Sequence, residues 1–151
     1  MELLLDNIRS GNNIGSIFRT ADALGVKKIW LTGICAIPPN REILKTALGA
    51  CDSVAWEYRE AATELANELL QKGYDLLALE QSPESTLLNT YSFHSGLCCI
   101  IVGNEVEGVN QELLSKCNTI LEIPQFGIKK SLNVAVSTGM LLWQWKLQQL
   151  G

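Results

Sequence analysis

Histidine is nearly missing from this sequence: His94 is the only one in 151 residues. Any Ser-His or Cys-His pair must therefore use it, and it sits in the polar stretch Ser92–Ser95, which reads as a solvated loop. The five cysteines are an odd set without a Cys-x-x-Cys pair, so no disulfide framework, zinc site or other metal is expected. Cys98 and Cys99 lie inside an apolar run, where a thiol is buried and resists ionisation; they read as small core residues, not nucleophiles. No G-x-G-x-x-G, P-loop or G-x-S-x-G pattern occurs where it would carry weight.

Long hydrophobic runs are also lacking. The longest apolar stretch, Leu132 to Trp145, is interrupted by Asn133, Ser137, Thr138 and Gln144 and falls short of the roughly 18 to 20 residues of a membrane span. Met1 to Asp6 enters an apolar run with no basic region before it, unlike a signal peptide. The expectation is a soluble, cytoplasmic protein without a membrane partner. Basic residues are outnumbered, twelve to sixteen, for a net charge of -4. A basic tail that grips nucleic acid without specificity is thereby excluded, and any polyanion must meet a local patch.

With 47% hydrophobic and 19% charged residues, the chain has the composition of an ordinary globular domain, and one domain over 1–151 is expected. Short β-type runs alternate with helix-type runs, without repeats or linkers, which reads as α/β. Strands are expected at Glu2–Leu5, Lys28–Leu31, Ser53–Tyr58, Asp75–Leu79, Leu97–Val102 and Thr119–Ile123. Ile14, Ile17, Phe18, Ala21 and Leu24 recur at helical spacing and Gly25 follows as a stop. A second helix is expected over Glu60–Lys72, with Leu65, Leu69 and Leu70 inward and Gly73 at its end. The middle strands are continuous apolar runs, as in a mostly parallel sheet covered by helices on both faces.

Ligands of open α/β sheets collect outside the carboxyl ends of the strands. Three strand-ending segments are rich in small and amide-bearing residues: Asn12, Asn13 and Gly15 after the first strand; Gly103, Asn104, Glu105 and Gly108 after the fifth; Pro124 to Gly127 after the sixth. Such segments present backbone N–H and C=O groups to a ligand.

With their neighbours, these segments resemble the SpoU/TrmH branch of the SPOUT RNA methyltransferases. Asn13-Ile14-Gly15-Ser16-Ile17-Phe18-Arg19-Thr20 is similar to the first family motif, and Ile101 to Val109 (IVGNEVEGV) to the second. The third is matched by Ile123-Pro124-Gln125 and, after Phe126 to Lys130, by Ser131-Leu132-Asn133-Val134-Ala135-Val136. The match spans nearly the whole chain, with the motifs in family order.

The resemblance implies a fold with a carboxy-terminal trefoil knot, a homodimer with the active site at the subunit interface, and methyl transfer from S-adenosylmethionine to a ribose 2′-hydroxyl, of tRNA before rRNA. It also implies no appended RNA-binding module. A noncatalytic RNA-binding relative that keeps the cofactor pocket, or a base-methylating SPOUT enzyme, are the alternatives. Gly103, Ile123 and Leu132, with Gln125 beside them, would hold the cofactor. Arg19 would act on the acceptor hydroxyl. A guanidinium stays protonated at ordinary pH, so a clamp on the RNA phosphate and nascent oxyanion is expected rather than a base. Asn13 would fix Arg19 or the ribose, and Glu105 would hold the cofactor loop or pair with Arg19. Ser131 and Asn133 open the last helix, where they would cap free N–H groups and contact ribose or cofactor. Arg9 and Lys129-Lys130 flank these motifs and are candidates for phosphate contacts.

The last helix bears on the dimer independently. Trp143 and Trp145 are two positions apart and point to nearly opposite faces, while Met140, Leu141, Leu142 and Leu147 fill much of the rest. A helix apolar all round needs cover on more than one side.

Overall fold

The computed structural model describes residues 1–151. Seven strands form its sheet: β1 (Glu2–Asp6), β2 (Lys28–Thr32), β3 (Ala55–Arg59), β4 (Asp75–Leu79), β5 (Thr86–Leu87), β6 (Cys98–Val102) and β7 (Thr119–Glu122). Their order is β3-β2-β1-β6-β4-β7-β5, and every pairing is parallel.

Two cores explain the continuous apolar runs. Leu3, Leu5, Ile29, Leu31, Ile100 and Val102 point into one, and Leu4, Trp30, Leu76, Ala78, Cys99 and Ile101 into the other. Alternate residues of a strand face opposite sides, so a central strand covered on both must be apolar throughout. The first core also takes in residues of α1 (Gly11–Leu24), α2 (Arg41–Ala47), α3 (Ala50–Ser53) and α6 (Val134–Leu150). The second takes in α4 (Ala62–Gln71) and α5 (Gln111–Lys116).

The expected fold class is observed. Cys98 and Cys99 sit in β6 as core-facing residues, with burial pushing the Cys98 thiol up to about 12 and the Cys99 thiol well above its ordinary value. The expected helix after Glu60 is α4, with Leu65 and Leu69 buried and Leu70 packed at the margin. Three details differ. Ser53 closes α3, so β3 begins at Ala55 rather than at Ser53. The edge strand β5 has two residues, too few to show a period. Helices α2 and α5 are short, seven and six residues, and are announced by their caps: Asn40 Oδ1 accepts from Glu42 N and Ile43 N, and Asn110 Oδ1 from Glu112 N.

Helix α1 starts on Ser10, whose hydroxyl accepts from Asn13 N, and stops at Gly25 in the left-handed conformation, φ 74°. It packs closely on α2. Thr46 Oγ1 donates to the Asn12 carbonyl at 2.8 Å, and a Cβ at Gly15 would collide with Thr46 and with the Ile43 carbonyl. Alanine is the better helix former by about 1 kcal/mol, yet Gly15→Ala is expected to destabilise by about 1 to 3 kcal/mol, because backbone has to move. Urea denaturation tests this; an unchanged or raised midpoint would contradict the close approach.

Candidate active site

Strand β6 delivers Gly103 to Val109 to the carboxyl edge of the sheet. The segment folds back on itself through Asn104 N to Gly108 O, 3.1 Å, and Gly108 N to Asn104 O, 2.9 Å. The Asn104 side chain accepts from Val106 N and Glu107 N and donates to the Asn7 carbonyl at the end of β1. A Cβ at Gly103 would strike the Gly108 backbone, so the fold-back needs glycine there.

This fold-back aims Glu105 at the start of α1. Its carboxylate accepts from Arg9 N at 3.1 Å and Ser10 N at 3.0 Å, and from Asn13 Nδ2 at 3.5 Å. Burial acts to raise the carboxyl pKa, but the N–H groups of Ser10 and Arg9 and the Asn13 amide outweigh it and hold it below the usual range. A negative charge at a helix N-terminus also suits the helix dipole.

Asn13 carries the connection onward, since its Oδ1 accepts from Asn133 Nδ2 at 3.2 Å. Asn133 in turn caps α6, its Oδ1 accepting from Ala135 N and Val136 N. Glu105, Asn13 and Asn133, up to 120 residues apart in sequence, thus form one hydrogen-bonded chain. The caps expected at the start of the last helix reduce to Asn133 alone; Ser131 is exposed and lines the neighbouring cavity instead.

That cavity, about 810 Å³, opens at the carboxyl ends of β4, β6 and β7. Gly103, Ile123, Gln125 and Leu132 all line it, as do Glu105 and Ser131. Its volume falls in the range of small-molecule sites, about 300 to 1,000 Å³. Val102, Leu121, Ile123, Leu132 and Val134 supply apolar wall, whereas the charged lining is mainly anionic: Glu80, Glu84, Glu105 and Glu107 against Lys130.

Arg19 stands apart. It is exposed on α1 and lines a separate groove with Lys45 and Thr46. The ion pairs of the structure are Lys28–Glu57 and Arg59–Glu68, so the expected pairing of Glu105 with Arg19 does not form. Asn13 likewise does not hold Arg19; its amide is committed to Glu105 and Asn133.

A model of the SpoU rRNA Methylase family matches residues 1–143. The chain belongs to that family. The chain is 30% identical over 151 residues to the 23S rRNA (guanosine-2′-O-)-methyltransferase RlmB of Neisseria meningitidis, covering 98% of this chain and 58% of that protein. It is 32% identical over 142 residues to the tRNA (guanosine(18)-2′-O)-methyltransferase TARBP1 of Mus musculus, covering 91% of this chain and 9% of that one. The AdoMet-bound rRNA methyltransferase of Sinorhizobium meliloti superposes with a TM-score of 0.88 at 26% identity, covering 99% of this chain and 57% of that structure. The chain spans little more than half the length of the RlmB relative it matches.

Within this SpoU chain, the loop after β4 is the part of the site that sequence reasoning missed. Glu80 Oε2 accepts from Val109 N at 2.8 Å and packs where a Cβ on Gly108 would go. Gln81 Nε2 donates to the Lys130 carbonyl at 2.8 Å, tying this loop to the segment before α6. The signal was available: Glu80 and Gln81 follow a strand neighbouring β6, the same position that singled out the other loops. His94 is exposed and edge-on to Tyr91 at 6.4 Å, away from the cavity.

Because the folded Glu105 carboxyl titrates below its unfolded value, its stabilisation is complete above the ordinary carboxylate range and is lost as pH falls through the folded value. Glu105→Ala is expected to cost about 1 kcal/mol near neutrality, since Arg9 and Ser10 can turn to water. The gap from the native chain should close in acid. Denaturant titrations at the two pH values check this, and a gap that stays constant would refute it.

Proposed function

We propose that this chain methylates a ribose 2′-hydroxyl of RNA using S-adenosylmethionine, with tRNA before rRNA, as a cytoplasmic homodimer built from one domain over 1–151. The observation that carries this reading is the cavity at the carboxyl edge of the sheet, where the second and third family motifs meet around apolar walls and an anionic rim.

The fit to the cofactor rests on charge and shape. When bound, S-adenosylmethionine supplies an electrophilic methyl group on a cationic sulfonium. Ile123 and Leu132 offer apolar surface to an adenine, Gly103 lets backbone approach closely, and Gln125 adds an amide at the edge. Glu80, Glu84 and Glu105 set a negative field that suits a cation. Ser131 lines the cavity and offers a hydroxyl toward the acceptor, while Asn133 holds the start of α6 in place through its cap and its bond to Asn13. The knotted carboxy-terminal passage that the family likeness implies belongs to this reading, and the Gln81–Lys130 hydrogen bond ties the loop after β4 to the segment before α6.

The same field repels RNA phosphate, so the acceptor needs a cation from outside the cavity. The guanidinium cation of Arg19 can neutralise a phosphate and the charge that develops on the 2′-oxygen, with the proton leaving to phosphate or water. Its place outside its own cavity suits a site shared between subunits. The outer face of α6 favours such a pairing: Trp145 is 6% exposed, whereas Trp143 is 50% exposed in a stripe with Val136, Met140 and Leu147. That stripe recurs at helical spacing on a helix that lies beside α1, with Asn133 on Asn13 and Gly139 beside Thr20.

The deciding assay is methyl transfer from labelled S-adenosylmethionine to tRNA and rRNA, followed by nuclease digestion and mass spectrometry. A methylated ribose supports the reading; a methylated base supports a base-modifying enzyme, and tight cofactor binding without transfer a noncatalytic one. Arg19→Ala should lower transfer on the order of 100-fold or more while calorimetry finds cofactor affinity within a few fold. Lost cofactor binding would contradict the clamp. Trp143→Glu should halve the mass seen by light scattering, and an unchanged mass would remove that face from the interface.

A further inference from the structure

The groove that holds Arg19 has features that its motif role leaves unused. It lies between α1 and α2, measures about 650 Å³, and is lined by Ser16, Arg19, Thr20, Lys45, Thr46 and Leu48. In a chain of net charge -4, it gathers two cations that take part in neither of the ion pairs, Lys28–Glu57 and Arg59–Glu68. Thr46 spends its hydroxyl on the Asn12 carbonyl, while Ser16 and Thr20 keep theirs free. Asp22, after Arg19 on α1, and Glu42, before Lys45 on α2, are the nearest carboxylates along the two helices, and neither lines the groove.

Leu48 is the second observation. It closes α2 in the left-handed conformation, φ 49°, and is 66% exposed. A branched apolar side chain pays for that backbone conformation and gains no burial by it, and such strained residues cluster where a ligand is gripped. An apolar side chain beside two cations and free hydroxyls matches a ribose-phosphate strand, with charge for phosphates and a hydrophobic surface for a sugar or base face.

Resting on the reading that RNA is the substrate, we propose that the α1–α2 groove binds the RNA backbone next to the modified nucleotide. Lys45 holds a phosphate and Leu48 packs on a sugar or base. The acidic cavity excludes phosphates from its own rim, and this groove supplies the complementary half. Since Thr20 borders α6 at Gly139, the groove runs up to the α6 face proposed to meet a partner, where it would lead RNA toward the other subunit's cavity. Lys45 is thus a positioning residue, distinct from Arg19.

The test is the full chain with fluorescein-labelled bulk tRNA, followed by anisotropy across a potassium chloride series. Lys45→Ala should weaken binding and reduce the slope of log affinity against log salt by about 1. Lys45→Arg should restore both. Leu48→Ala should weaken binding with the slope unchanged. In transfer assays Lys45→Ala should raise KM for RNA and leave kcat and cofactor affinity near native values. A native slope and affinity in both alanine variants, with the native protein still binding and methylating RNA, would overturn the groove alone. A native protein that neither binds nor methylates RNA would overturn the groove and the RNA reading together.

Discussion

The site depends on one carboxylate placed against the start of one helix. Glu105 reaches from the loop after β6 to the N–H groups of Arg9 and Ser10 ahead of α1. Those loops leave adjacent parallel strands and diverge, since α1 leads to β2 on one side and α5 to β7 on the other. Divergence at this point opens a crevice between the two loops, and the cavity lies next to it, at the carboxyl ends of β4, β6 and β7. An unbridged crevice would leave the helix start and the loop free to drift. The carboxylate ties them, and Asn13 extends the tie to Asn133 and the cap of α6.

Charge divides the surface by task. The cavity is ringed by carboxylates, two of them satisfied by backbone N–H groups, Glu80 by Val109 and Glu105 by Arg9 and Ser10. Such a rim suits a cationic small molecule and disfavours a polyanion. Arg19 and Lys45, which take part in neither ion pair, line the α1–α2 groove, which shares no residue with the cavity. In the homodimer proposed above, a second copy would bring the two halves together; α6, which carries the apolar outer stripe, lies beside the helix that carries Arg19.

Much of this was legible beforehand because it follows from local rules. Alternating burial demands across a covered parallel sheet require apolar runs such as Cys98 to Val102. Gly25 marks the end of α1 by the ordinary chemistry of helix stops. Gly103, Ile123, Gln125 and Leu132 were placed by motif likeness and strand-end position, and all four line one cavity. The pairing of Glu105 with Arg19 failed for a geometric reason. Arg19 lies two turns along α1, on a face turned toward α2, while the carboxylate is held at the first turn by backbone donors that no side-chain pattern reveals.

The amino-acid sequence by itself determined the class of the fold, the apolar character of the central strands, the inward face of α1 and α4, and the family, because periodicity, stop signals and motif order are properties of short stretches of chain. Only the tertiary structure decided which motif residues touch: that Glu105 grips a helix start, that Asn13 joins Asn133, and that Arg19 keeps company with Lys45 instead of the cavity. Those contacts depend on the relative placement of elements up to 120 residues apart, which is settled by how two cores pack on one sheet and not by any local preference.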